Sequence, residues 1–244
     1  MRYFLEIAYN GTHYHGWQVQ PNAVTVQEKM DEALSLILRQ DIAVLGCGRT
    51  DTGVHASQFF LHFDADPIED HEKLVYKLNG YLPKDISCYR LIPVKEGAHA
   101  RFDALSRTYQ YHVHTFKDPF IGESSMFFPT KLDVDLMNQA GAFLLDQKDF
   151  ASFCKTGSDI KTTLCDMMQC EWEQDGTTYT LTIKANRFLR NMVRAVVGTM
   201  LELGSGKMNL EEFKAVVHSG NRSKAGSSVD ACGLFLTGVE YPFL

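Results

Sequence analysis

Tyr3, Leu5, Ile7 and Tyr9 alternate at period two, the pattern of a β-strand, until Asn10-Gly11 breaks the run. Thr25-Val26-Gln27-Glu28 has the form of a capping box. Val26, Met30, Ala33, Leu34, Ile37 and Leu38 then recur at helical spacing and predict an amphipathic helix to about Arg39. Ile42 to Leu45 reads as a short apolar strand and Cys47 to Ser57 as a polar loop. Phe59, Leu61 and Phe63 form one face of the next strand. A helix near His71 to Leu78 and a strand near Ile86 to Val94 complete a first half.

The second half begins near Arg107, where Tyr109, Tyr111 and Val113 share a strand face. Val134 to Leu145 reads as a helix. Met167 to Trp172 and Thr178 to Ala185 read as a hairpin about Asp175-Gly176. A long helix is predicted from about Asn186 to Leu203, ending at Gly204-Ser205-Gly206. A short helix from Leu210 to His218 and a last strand from Gly233 to Glu240 follow. At about 100° per residue the long helix puts Leu189, Met192, Val193, Val196, Val197 and Met200 on one face. Arg187, Arg190, Asn191, Arg194 and Gly198 fall on the other, with Gly198 leaving room for a neighbour to approach. Strands adjacent to strands in both halves argue an α+β fold. The domains are read as residues 1–104 and 105–244, with Gly97 to Arg107 as the joint. A duplicated architecture fits the pattern, although no residue-level repeat marks it.

No apolar run reaches the length of about 20 residues that a membrane span needs. The first residues carry charge inside their apolar stretch and do not read as a signal peptide, which places the chain in the cytoplasm. The six cysteines are scattered without a C-x-x-C pair, so they read as buried small hydrophobes rather than a disulfide or zinc framework. His55 and His62, like His112 and His114, lack a third and fourth ligand, and no metal is expected. The net charge of −6 counts against a nucleic-acid partner. A local basic cleft can still act inside an acidic whole, because charges beyond roughly 8 Å are largely screened at physiological salt.

The segment richest in chemistry is Gly48-Arg49-Thr50-Asp51-Thr52-Gly53-Val54-His55-Ala56, between two apolar runs. Loops held by strands are favoured places for catalysis. A carboxylate among an arginine, hydroxyls and amides is favoured in its charged form, and a positioned carboxylate can act as a nucleophile. The alternative is an Asx-type turn with Arg49 as an ordinary surface charge.

This loop resembles the catalytic signature of the tRNA pseudouridine synthase A family. Further segments agree in order along nearly the whole chain. They are Tyr9-Asn10-Gly11-Thr12 with Gly16-Trp17-Gln18, Thr25-Val26-Gln27, and Asn79-Gly80-Tyr81-Leu82-Pro83-Lys84-Asp85-Ile86. His99-Ala100-Arg101-Phe102-Asp103-Ala104 and Arg107-Thr108-Tyr109-Gln110-Tyr111 follow. Asp149-Phe150-Ala151-Ser152-Phe153, Phe188-Leu189-Arg190-Asn191-Met192-Val193-Arg194 with Gly198, and Gly233-Leu234-Phe235-Leu236 complete the series. Ala98 departs from the pattern where an aromatic residue often stands, as does Arg187 where a small residue is common.

The resemblance implies Asp51 as catalytic nucleophile, Tyr109 as a contact to the target base, and Arg49 and Arg194 as arginines associated with the carboxylate. It implies two sheet-plus-helix subdomains of related architecture flanking a central active-site cleft, a homodimer, no cofactor, and uridines on the 3′ side of the tRNA anticodon arm as substrate. A base taken out of its stack needs an aromatic surface to lie against, which suits Tyr109, whereas Tyr111 reads as core. Arg101, Arg107, Lys184, Arg187 and Arg190 are candidates to line a positive cleft for phosphates, the alternative for each being a solvated charge. A nucleoside or glycoside hydrolase is a rival reading, but the motif supplies no second carboxylate to act as acid. An RNA-binding module without activity is another.

Overall fold

The computed structural model describes residues 1–157 and 161–244. It divides into two compact units, one of Met1–Leu105 with Phe235–Leu244 and one of Ser106–Leu234. Strands and helices mix within each, an α+β fold. Among the described residues no helix is long and apolar enough to cross a membrane.

The first unit is built on β1 (Arg2–Tyr9), which pairs antiparallel with β3 (His55–Asp64) on one side and with β4 (Ile86–Val94) on the other. The end strand β9 (Leu234–Glu240) brings Phe235 and Leu236 alongside His55 and Ala56 in parallel pairing. Helices α1 (Val26–Leu38) and α2 (His71–Tyr81) complete the unit. Alternation along β1 predicts one buried face, but Phe4 and Glu6 are buried as well. The second face is covered by the C-terminal segment, where Tyr241 and Phe243 set their rings against Phe4 at 5.2 and 5.6 Å. The buried Glu6 carboxylate is matched rather than orphaned. It pairs with Arg90 on β4 and accepts from Gln58 Nε2 on β3 at 2.7 Å, while Gln58 Oε1 accepts from Val239 N on β9 at 3.0 Å. One polar relay thus ties all four strands, as a buried charge requires.

The strand expected at Ile42 to Leu45 is not one; only Leu45–Gly46 (β2) pairs, with β3. The preceding backbone is satisfied by side chains of α1. Val44 N donates to Asp31 Oδ1 at 2.7 Å, Gln27 Nε2 donates to Val44 O at 3.0 Å, and Ile42 N donates to Ser35 Oγ at 3.0 Å. Residues 27, 31 and 35 lie four apart on one helical face, so the segment runs along the helix with no strand to pair with. Half of the expected capping box is present, Thr25 Oγ1 accepting from Glu28 N at 3.3 Å. A complete one stands instead at Asn209 and Glu212, opening α5.

In the second unit β8 (Thr178–Ala185) lies between β5 (Ser106–His114) and β7 (Met167–Asp175), all antiparallel. β6 (Met126–Phe127) adds to β5. The β7–β8 turn places Gly176 at φ +56, a conformation glycine adopts without a Cβ clash. Helices α3 (Val134–Leu145), α4 (Met192–Gly204) and α5 (Leu210–His218) pack here. Helix α4 begins about six residues later than the spacing predicts, because Asn191 sits at φ +64 and residues 186–191 are irregular. Its expected basic face is therefore absent. Arg187, Arg190 and Asn191 precede the helix, and every residue of α4 except Arg194 and Glu202 is buried. Gly198 is filled by the chain itself, since a Cβ there would lie 1.8 Å from Ser227 O. None of the six cysteines is in a disulfide, and all are buried apart from Cys232, which is half-buried.

Candidate active site

In the first unit, the loop from Cys47 to Val54 is held at nearly every turn. Cys47 N donates to Phe60 O at 2.7 Å. Thr50 is fixed through both its side chain and its carbonyl. Its hydroxyl and the Tyr9 hydroxyl share a buried hydrogen bond of 2.9 Å, and its O accepts from Trp17 N at 3.2 Å. Val54 N closes a turn onto Asp51 O at 3.2 Å, with Gly53 at φ +78, as in a type II turn. Gly53 N donates to Tyr14 O at 3.3 Å, and Gly11 N donates to the buried His55 Nδ1 at 3.1 Å. The His55 ring stacks on Phe235 at 4.4 Å. Asp51 is half-buried at the apex of this bracing, with Arg49 exposed two residues before it.

The partners of the loop come from the segment after β1, and two of its glycines are required by contact. A Cβ on Gly11 would lie 2.0 Å from Val54 O, and one on Gly16, at φ +84, would lie 2.3 Å from Thr50 O. The motif residues Tyr9-Asn10-Gly11 and Gly16-Trp17 are thus a cradle for the Asp51 loop, a role that the period-two and turn signals of the sequence do not reveal. The cradle is tied in turn to the start of β4, Asn10 N donating to Asp85 O at 2.9 Å and Tyr14 Oη to Asp85 Oδ1 at 2.7 Å. Burial first, then the Asp85 carboxylate, push the Tyr14 phenol well above its ordinary range. Tyr14 therefore stays a donor.

Arg101 lies in the same unit, exposed on the turn after β4. The other expected residues belong to the second unit. Tyr109, on β5, is half-buried and meets Phe188 edge-on at 5.2 Å; Tyr111, on the same face, is wholly buried. Arg107 Nη1 donates to Asn186 O at 3.0 Å, and Lys184 stands directly across the ladder from Thr108. Arg187 is half-buried and Arg190 exposed, both in the irregular segment before α4. Arg194 Nε donates to Val229 O at 2.7 Å and Val229 N returns to Arg194 O at 3.2 Å, which fixes the base of that side chain.

A sequence model of the family described as tRNA pseudouridine synthase matches residues 7–103 and 144–242. This protein belongs to that family. The chain is 50% identical over 244 residues to the tRNA pseudouridine synthase A of Bacteroides fragilis, covering 99% of this chain and 96% of that protein. It is 37% identical over 239 residues to the enzyme of the same name from Bacillus pumilus, covering 96% and 97%. To the tRNA pseudouridine synthase A 2 of Clostridium perfringens it is 36% identical, covering 97% and 98%. The matched segments of the synthase family include the whole Asp51 loop and its cradle, the turn bearing Arg101, and Arg187 to Arg194, whereas Tyr109 lies between them.

Proposed function

We propose that the protein isomerises uridine to pseudouridine in tRNA, with the Asp51 carboxylate as nucleophile. The observation that carries this reading is the family match over a loop whose backbone is tied to Phe60, Trp17 and Tyr14 while Asp51 itself stays partly open to solvent. The reaction breaks the bond from the sugar C1′ to N1 and forms one from C1′ to C5; C5 loses a proton and N1 gains one. Substrate and product are isomers, so the balance calls for no cofactor. A charged carboxylate serves each route to that exchange, whether it attacks C1′, attacks C6 of the base, or removes a sugar proton. The uridine must leave its stack to be reached, at a cost of a few kcal/mol. Tyr109 offers the aromatic surface against which the freed base turns. Resemblance to the family supports Arg49 and Arg194 as the arginines associated with the carboxylate, a task suited to the planar guanidinium fork. Arg101, Arg107, Lys184, Arg187 and Arg190 bind the RNA backbone. Resemblance to the family supports uridines on the 3′ side of the anticodon arm as targets, a homodimer as the working form and the cytoplasm as its place.

The test uses unmodified tRNA transcript and measures the C-glycoside. Asp51→Asn is expected to lower its formation on the order of 10⁴-fold, with tRNA affinity held within a few-fold. Free uracil in place of the C-glycoside would establish a hydrolase, and wild-type turnover by Asp51→Asn would remove Asp51 as nucleophile.

A further inference from the structure

We propose that Phe102, backed by His99 and flanked by Arg101, is a stacking platform for an unpaired base of the RNA. This inference rests on the reading that the substrate is tRNA. Phe102 is 72% exposed, so most of its ring surface gains nothing from burial on folding. Nor is it loosely hung, because the turn beneath it is fixed at every residue. The His99 Nδ1 accepts from Arg101 N at 3.1 Å and from Phe102 N at 3.4 Å. His99 N donates to Asp103 Oδ2 at 2.9 Å, and Asp103 N returns to His99 O at 3.0 Å. Ala100 is clasped from both sides, its N donating to His62 Nδ1 at 3.2 Å and its O accepting from Tyr241 Oη. Arg2 Nη1 holds Ala98 O at 3.0 Å.

The result is a rigid turn with three π-surfaces in series. The His62 and His99 rings meet at 4.5 Å, and the His99 and Phe102 rings at 4.3 Å. The Arg101 guanidinium lies 5.6 Å from the centre of the Phe102 ring. Burial and the charge of Arg2 hold the His99 imidazole below its ordinary pKa, consistent with an Nδ1 that accepts rather than donates. An aromatic ring with one face backed and an arginine beside it matches what an unstacked nucleobase with its phosphate requires. The ring takes the π-face of any base, and the cation takes the backbone. In this arrangement His99 is a positioning residue and Phe102 a binding residue.

The experiment measures steady-state conversion of unmodified tRNA transcript by Phe102→Ala, Phe102→Tyr and Phe102→Trp. Removing a base–aromatic stack weakens binding by roughly 5- to 150-fold. Phe102→Ala should therefore raise KM about tenfold, with kcat retained, and Phe102→Tyr should restore it. Trp17 and Trp172 are both buried, so the indole of Phe102→Trp reports separately, its fluorescence falling when the transcript binds. An unchanged KM in Phe102→Ala, or no quenching in Phe102→Trp while the wild-type enzyme converts the same transcript, overturns the platform. Loss of self-association by Phe102→Ala in sedimentation, with the KM effect tracking that loss, also overturns it by assigning the ring to a subunit contact. If the wild-type enzyme itself fails to convert the transcript, the reading of the substrate fails instead.

Discussion

Gly16→Ala tests whether the cradle sets the geometry of the Asp51 loop. The substitution adds one methyl group in a place where two costs arise together. At φ +84 the backbone of Gly16 is in the left-handed region, which an alanine occupies at a cost of about 1–2 kcal/mol. The new Cβ would also lie 2.3 Å from Thr50 O and 3.1 Å from the carbonyl carbon of Asp51. Both atoms are backbone, so no rotamer change relieves the overlap, and overpacking of this kind costs about 1–3 kcal/mol. The sum is on the order of 2–5 kcal/mol, and the loop can lower it only by moving away from Trp17 N and thereby carrying Asp51 with it. A displacement near 1 Å costs on the order of 10²-fold in rate. Gly206→Ala is the control, since Gly206 sits at φ +77 with open space where its Cβ would go. Single-turnover pseudouridine formation and thermal unfolding should be measured on both. Gly206→Ala is expected to lose about 1 kcal/mol and to keep the wild-type rate constant. Gly16→Ala should lose more stability and about two orders of magnitude in rate. Should Gly16→Ala match the control in both measurements, the loop is not positioned by this contact.

Two further expectations concern stability. Burial raises the Asp31 carboxyl from 3.8 to about 6, against the Val44 N–H bond that lowers it and with the Asp41 charge adding to the rise. With the folded value above the unfolded one, the stabilising contribution is complete below pH 3.8 and is lost as pH climbs through about 6. Asp31→Asn keeps the acceptor for Val44 N, so it should gain about 1 kcal/mol at pH 7.5 after allowance for partial exposure, and only a small fraction of that at pH 4. Urea unfolding at the two pH values checks this, and equal gains at both would contradict it. Asn79→Leu removes the side chain that binds both the N and the O of Cys88, at 2.7 and 2.8 Å, and should cost about 2 kcal/mol by the same assay. Coincident unfolding curves for this variant and the wild type would deny the clasp any role.

The parts of the fold legible in the sequence are those whose partners are periodic. β4, α3 and α5 have the ends that spacing predicts, because one face of each meets a continuous apolar surface. What escaped is set by backbone contact at a distance. Nothing in Ile42 to Leu45 shows that its amides are met by side chains of α1, and nothing in Arg187 to Asn191 shows that Asn191 turns left-handed and delays α4. The candidate site divides in the same way. Asp51 is marked by the family resemblance of its loop, since composition alone leaves an Asx-type turn open. The functions of Gly11 and Gly16 depend on Val54 O and Thr50 O, more than thirty residues away.

The related architecture of the two units shows why such devices are hard to read from sequence. In the first, Asn79 on α2 clasps the backbone N and O of Cys88 on β4. In the second, Asn138 on α3 clasps the N and O of Trp172 on β7, at 2.7 and 3.0 Å. In each case the helix that precedes an outer strand of its unit lends a carboxamide to that strand, and a carboxamide suits the task because its carbonyl oxygen accepts while its NH2 group donates, side by side. Outer strands present unpaired amides and carbonyls that invite pairing with another chain, and occupying one amide and one carbonyl from within reduces that invitation. Asparagine and strand residue are separated by 9 positions in the first unit and by 34 in the second. A search at fixed period therefore finds no repeat, although the same physical problem has the same solution in both units.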